Sequence, residues 1–76
     1  FGWPDIILKT ASIRGAAIIL ELKVVNEYGK MENGCRKALE QIETQYYTME
    51  PEKEGYQTIL KYGICFYRKE CMVIKG

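Results

Sequence analysis

Two carboxylates and a lysine are spaced so that a hairpin brings them together. Asp5 follows Pro4, and Glu21-Leu22-Lys23 closes the apolar run Ala16-Ala17-Ile18-Ile19-Leu20. Alternate residues of a strand share a face, so Glu21 and Lys23 point one way and Leu22 the other. A buried strand has no routine reason to carry an acid and a lysine on one face, because unpartnered charge is costly to bury. Setting Ile7 opposite Ile19 puts Asp5 opposite Glu21, with Cβ atoms about 4.5–5.5 Å apart. Two carboxylates that close repel unless a cation lies between them. Lys23 can be that cation, in a salt bridge that catalyses nothing. A divalent ion with Lys23 beside it fits the geometry better, and Mg²⁺ or Mn²⁺ suits carboxylate oxygens. Such an ion acidifies a bound water and offsets negative charge that develops beside it, which suits hydrolysis.

The elements that must position these residues follow from periodicity. Ile6-Ile7-Leu8 reads as a first strand and Ala16 to Val25 as a second, apolar on both faces and therefore central. Thr10 to Gly15 connects them, with Gly15 the expected positive-φ residue. Asn26-Glu27-Tyr28-Gly29 is a polar break. From about Lys30 to Tyr47 the pattern turns helical, with Met31, Cys35, Ala38, Leu39, Ile42 and Tyr46 on one stripe. Gly34 is a weak spot, which favours a helix start at Asn33. Thr48 to Gly55, with Pro51 and three acids, reads as a loop or one helical turn. Thr58 to Tyr67 and Cys71 to Ile74 form a second hairpin turning at Arg68-Lys69-Glu70. The expectation is an α/β fold in strand–strand–helix–strand–strand order.

Bulk properties bound the answer. A chain of 76 residues holds one small domain and buries a modest share of its surface. A hydrophobic fraction of 47% argues against disorder, and a formal net charge of +1 leaves nucleic acid open, since a local basic patch matters more than the sum. No apolar run reaches membrane-span length and no signal peptide is evident, so no membrane partner is expected and the cytoplasm is the expected location. Cys35, Cys65 and Cys71 give an odd count with no C-x-x-C pair and no histidine, against a zinc site. They read as reduced core cysteines, although Cys65 and Cys71 could face each other across the second hairpin.

Pro4, Asp5, Glu21 and Lys23 together resemble the PD-(D/E)xK nuclease superfamily. Ala38-Leu39-Glu40-Gln41-Ile42, with Tyr46-Tyr47 soon after, is similar to the glutamine- and tyrosine-bearing helix of RecB-type members. Tyr62-Gly63-Ile64-Cys65-Phe66, with Lys69 and Cys71, is similar to the closing hairpin of a bacterial subgroup whose nuclease-like domain ends an AAA-type ATPase protein. The resemblance implies a restriction-endonuclease-like mixed sheet over residues 1–76, lacking the helix that usually precedes the first motif strand. The start at Phe1-Gly2 without methionine fits a fragment of a longer protein.

The same resemblance implies roles. Asp5, Glu21 and the Leu22 carbonyl would hold the metal. Lys23 would orient the attacking water or stabilise the transition state, and Gln41 would contact substrate or water, or else bond the sheet edge. Tyr47, or Tyr46, would meet a base or a phosphate, or else pack. Arg36 and Lys37, with Lys30, form a basic helix face suited to sequence-blind phosphate contacts or to plain solvation. Glu50, Glu52 and Glu54 should lie away from DNA. The expected function is metal-dependent hydrolysis of phosphodiester bonds in DNA, the alternative an inactive nuclease-fold module for binding or assembly. Because one helix covers one sheet face only, a homodimer is the expected repair for the other.

Overall fold

The computed structural model describes residues 3–76. Four strands form one mixed sheet in the order β1 (Ile6–Lys9), β2 (Ala16–Val24), β3 (Thr58–Tyr67) and β4 (Glu70–Lys75). β1 and β4 run antiparallel to their neighbours, while β2 and β3 are parallel. Parallel strands need a crossover. Here it is helix α1 (Met31–Thr44) followed by the short helix α2 (Met49–Glu54), after a 3-10 turn at Tyr28–Lys30. The architecture is the anticipated mixed α/β arrangement with one main helix between the second and third strands, consistent with a restriction-endonuclease-like core.

The first hairpin has the expected register, with Ile7 opposite Ile19 and Ile6 opposite Leu20. Its connection works differently from expectation. Gly15 does not have positive φ; Gly55 is the positive-φ glycine among the described residues. Gly15 is small for a different reason. A Cβ there would lie 2.2 Å from Thr10 Oγ1, which accepts from the Ala16 N–H and donates to the Ser12 carbonyl.

Helix α1 begins at Met31 and runs through Gly34. Close packing explains the tolerated glycine. A Cβ on Gly34 would lie 2.5 Å from Cys65 Sγ, and one on Gly63 would lie 2.2 Å from the Cys35 carbonyl oxygen. The helix therefore rides directly on β3. Its buried residues Met31, Gly34, Cys35, Ala38 and Ile42 form the expected stripe, and Leu39 is half-buried. Tyr46 leaves the stripe: it follows the helix end at φ 57, and the Tyr47 N–H bonds back to the Ile42 carbonyl at 3.1 Å. This is a helix-ending turn that usually takes glycine. It turns Tyr47 inward and leaves Tyr46 exposed.

The core lies between α1 and one sheet face, in two clusters. One joins Ile19, Ile42 and Tyr47 with Ile7, Leu39 and Ile59. The other joins Met31, Cys35 and Cys65 with Val25, Tyr67, Met72 and Ile74. Cys65 lies opposite Met72 and Cys71 opposite Phe66, so the two cysteines sit on opposite faces and do not pair. On the far face Leu8, Val24, Phe66 and Val73 are exposed.

The segment expected as a loop or one helical turn forms the six-residue helix α2. Pro51 stands at the third helical position, where the missing N–H would have had no helical acceptor. The acids Glu50 and Glu54 lie beside β1 and pair with Lys9 Nζ at 3.8 and 2.7 Å.

Candidate active site

Glu21 and Lys23 project from β2 on the face that α1 covers, as strand alternation requires. Asp5 enters from the residue before β1. Its Oδ2 accepts the Leu22 N–H at 2.8 Å. That bond has a consequence for the backbone. The Thr10 N–H donates to the Ala16 carbonyl at 3.0 Å, so the even-numbered residues of β2 turn their amide groups toward β1. Continuing the register would set Leu22 opposite Pro4. Proline has no N–H. The Leu22 carbonyl therefore meets no ladder donor on that side, and its N–H is taken by a carboxylate instead.

Glu21 is 2% exposed, and its Oε2 has no hydrogen-bond partner among the described residues. Burial, then the hydrogen bond and charge of Asp5, push the Glu21 carboxyl up to about 7. Asp5 moves the other way. The Leu22 N–H, then the bond with Glu21, and the nearby Lys23 charge hold it below the usual carboxylate range. Two adjacent acids thus divide their roles: one stays ionised while its buried neighbour holds a proton toward neutrality.

Lys23 does not form the alternative salt bridge with either acid among the described residues. Its Nζ donates to Gln41 Oε1 at 2.5 Å. The amide of α1 therefore fixes the lysine on the carboxylate side, where its charge still acts on Asp5 and Glu21. Gln41 reaches the sheet because α1 lies so close to it, and Gly63, whose bare Cα permits that approach, stands opposite Glu21 in the register.

Asp5, Glu21, Lys23, Gln41 and the Leu22 backbone thus gather at one end of the first hairpin. Arg36 and Lys37 are exposed on α1, but they differ. Arg36 is held by Glu32 at 3.2 Å, while Lys37 forms no ion pair among the described residues. Lys30, Asn33, Lys37, Gln41 and Thr44 recur at helical spacing along one edge of α1, leading to Lys23. Tyr47 is 8% exposed and packs on Ile19 and Ile42. The sequence reading passed over Pro4's effect on Leu22 and the aromatic Trp3 beside the motif; a proline facing a strand continuation was the available signal for the first.

A family model described as the PD-(D/E)XK nuclease superfamily matches residues 1–76. The chain belongs to that superfamily. No curated protein and no solved structure matches it significantly. PD-(D/E)XK members typically depend on a divalent metal ion. Among the described residues no group of three or more His, Cys, Asp and Glu side chains gathers to hold one. The donors that do gather are two carboxylates and a backbone carbonyl without a ladder partner. They are hard oxygens, and the orphaned Glu21 Oε2 lacks a positive partner. This set suits an ion that takes one or two carboxylates and keeps several waters, as magnesium does.

Proposed function

We propose that this PD-(D/E)XK chain is a metal-dependent nuclease domain that hydrolyses phosphodiester bonds, with DNA as its substrate. The observation that carries the proposal is the partly unsatisfied Asp5–Glu21 pair with Lys23 anchored beside it by Gln41. Asp5, Glu21 and the Leu22 carbonyl would hold Mg²⁺ or Mn²⁺. When bound, the ion supplies an acidified water and offsets charge on the phosphate. The chain's own residues do the rest. The Leu22 N–H orients Asp5, and burial keeps water from screening Glu21. Gln41 fixes the Lys23 ammonium, whose charge lies where negative charge grows on the scissile phosphate. Lys37 and Lys30 lead along α1 to this point and suit sequence-blind phosphate contacts, with Arg36 beside them; Tyr47 supports the site from the core rather than by exposure.

Incubation of single-stranded and duplex DNA with Mg²⁺ or Mn²⁺ tests this. Cleavage should require metal. Lys23→Ala should lower it by about 10²–10³-fold, the usual loss for one electrostatic group at a transition state. Metal-independent cleavage, or cleavage unchanged in Lys23→Ala, would refute the assignment.

The uncovered sheet face favours a second reading, in which the domain serves binding or assembly without turnover. That face suits a symmetric homodimer, or attachment to an ATPase domain of the kind the bacterial subgroup carries, in the cytoplasm. Among the described residues no helix is long and apolar enough to cross a membrane.

A further inference from the structure

Beside the acidic pair, the edge of β1 and the end of α1 enclose a cleft of about 100 Å³. Trp3, Pro4, Ile7, Tyr46 and Tyr47 line it together with the charged Lys9 and Glu50. Five of the seven lining residues are aromatic or apolar, and the indole of Trp3 is 77% exposed. Core packing does not account for such an indole. Contrary to the expectation that the acids of α2 lie away from DNA, Glu50 lines this cleft, and the Lys9 ammonium, 2.7 Å from Glu54 and 3.8 Å from Glu50, offsets one of these two charges.

Asp5, Ile7 and Lys9 are alternate residues on one face, so the cleft opens about 7 Å from Asp5 along the strand. A nucleic acid strand whose phosphate was held at Asp5 and Glu21 through the proposed metal ion would bring its adjoining base to this opening. The cleft admits one flat ring. A paired base arrives with its partner and its stack, which a cleft of about 100 Å³ does not hold. The left-handed backbone at Tyr46, rare for a residue with a side chain, presents that ring to the cleft rather than to the core.

We propose that this cleft is a stacking subsite for one unpaired nucleobase, which directs the chain to single-stranded DNA or to flaps and frayed ends. The proposal rests on the nuclease reading for its placement but not for its test. Trp3 is the sole tryptophan of the chain, so its emission reports on the cleft directly.

Titration with oligothymidine in EDTA, where nothing is cut, should quench Trp3 emission, and a blunt hairpin duplex should not. Anisotropy of a labelled oligothymidine should show Trp3→Ala weakening single-strand binding by about 5- to 100-fold, the range of base–aromatic stacking. Trp3→Phe should restore most of it, and duplex binding should be unchanged in both. Trp3 is exposed, so both variants should keep the wild-type circular dichroism. If oligothymidine binds by anisotropy and is cleaved with Mn²⁺, yet Trp3 emission and the Trp3→Ala affinity stay unchanged, the subsite is refuted and the nuclease reading stands. Quenching with the expected loss in Trp3→Ala, without cleavage in any metal, upholds the subsite and refutes the nuclease reading. No binding of either DNA refutes the subsite.

Discussion

Replacing Glu21 by glutamine should stabilise the protein at neutral and alkaline pH while leaving it unchanged in acid. Glu21 ionises near pH 7 instead of its ordinary 4.5, chiefly because it is buried beside Asp5. Between those values the folded chain binds a proton that the unfolded chain has released. Stability therefore falls as pH rises through this window and levels off above it. A shift of this size corresponds to about 3 kcal/mol at 1.36 kcal/mol per pH unit. The side chain is 2% exposed, so solvent screens little of this, and the figure is the upper bound for an acid coupled to Asp5. Asp5 acts in the opposite sense: its lowered value gives stability that is present above the ordinary carboxylate range and is lost as pH falls through its folded value. The wild type should thus be most stable near the lower end of the Glu21 window. Glutamine cannot ionise, and its amide can donate to the Asp5 carboxylate.

Urea melts in EDTA from about pH 4.5 to about pH 8 measure this directly. The two proteins should coincide at the acid end, with the variant ahead by up to about 3 kcal/mol above neutrality. For a chain this small that is a gain of about 12–24 °C in melting temperature. Wild-type stability that rises between about pH 5 and 7, or parallel pH profiles for the two proteins, would show that Glu21 is not a strained buried acid.

Divalent metal should stabilise the wild type at alkaline pH, where both acids are ionised. A concentration a hundredfold above the dissociation constant adds about 2.7 kcal/mol, and thermal melts with EDTA against Mg²⁺ or Mn²⁺ check it; superimposable curves, or the same gain in Asp5→Asn, count against the site. Gly63→Ala should cost about 1–3 kcal/mol by overpacking, since its methyl meets the Cys35 carbonyl. A neutral result in urea melts would mean that α1 can lift off β3 without penalty.

Much of the site was legible because strand alternation is rigid. Given an apolar β2, only one register set Asp5 against Glu21, and the hairpin has that register. The α1 stripe was legible from Met31 to Ile42 because burial follows helical spacing. Tyr46 misled because it lies two residues past the helix, where a left-handed turn rotates its side chain outward. Gly15 misled because a glycine can be required by a neighbour's hydroxyl as well as by φ. The segment around Pro51 left loop and helical turn open, and it is helical because Pro51 stands in the first turn of α2, where proline costs no helical bond. The Lys23–Gln41 bond joins residues 18 apart across the helix–sheet layer, so no local pattern encodes it. The same holds for the cleft at Trp3, which exists only once the end of α1 has packed against β1.

The far face of the sheet carries the last prediction. Register aligns Leu8 with Ile18 and Leu60, Ile6 with Leu20 and Tyr62, and Leu22 with Ile64 and Val73. Lys75 is the one charged side chain on this face within the four strands. No described element covers it, and Leu8 and Val73 are 52% and 54% exposed. Strand spacing and rise give the face an area of about 400 Å², at the upper end of what a monomer leaves open. Two copies packed face to face would bury about 800 Å², less than a standard interface. The pairing should therefore be weak and reversible rather than obligate. Sedimentation velocity should show a monomer at low concentration shifting toward a dimer at high concentration. Leu8→Lys and Val73→Lys should abolish the shift without unfolding the chain, because both side chains already reach solvent. A chain that stays monomeric at every concentration, with cooperative unfolding and no binding of a hydrophobic dye, would show that the twist of the sheet shields this face by itself.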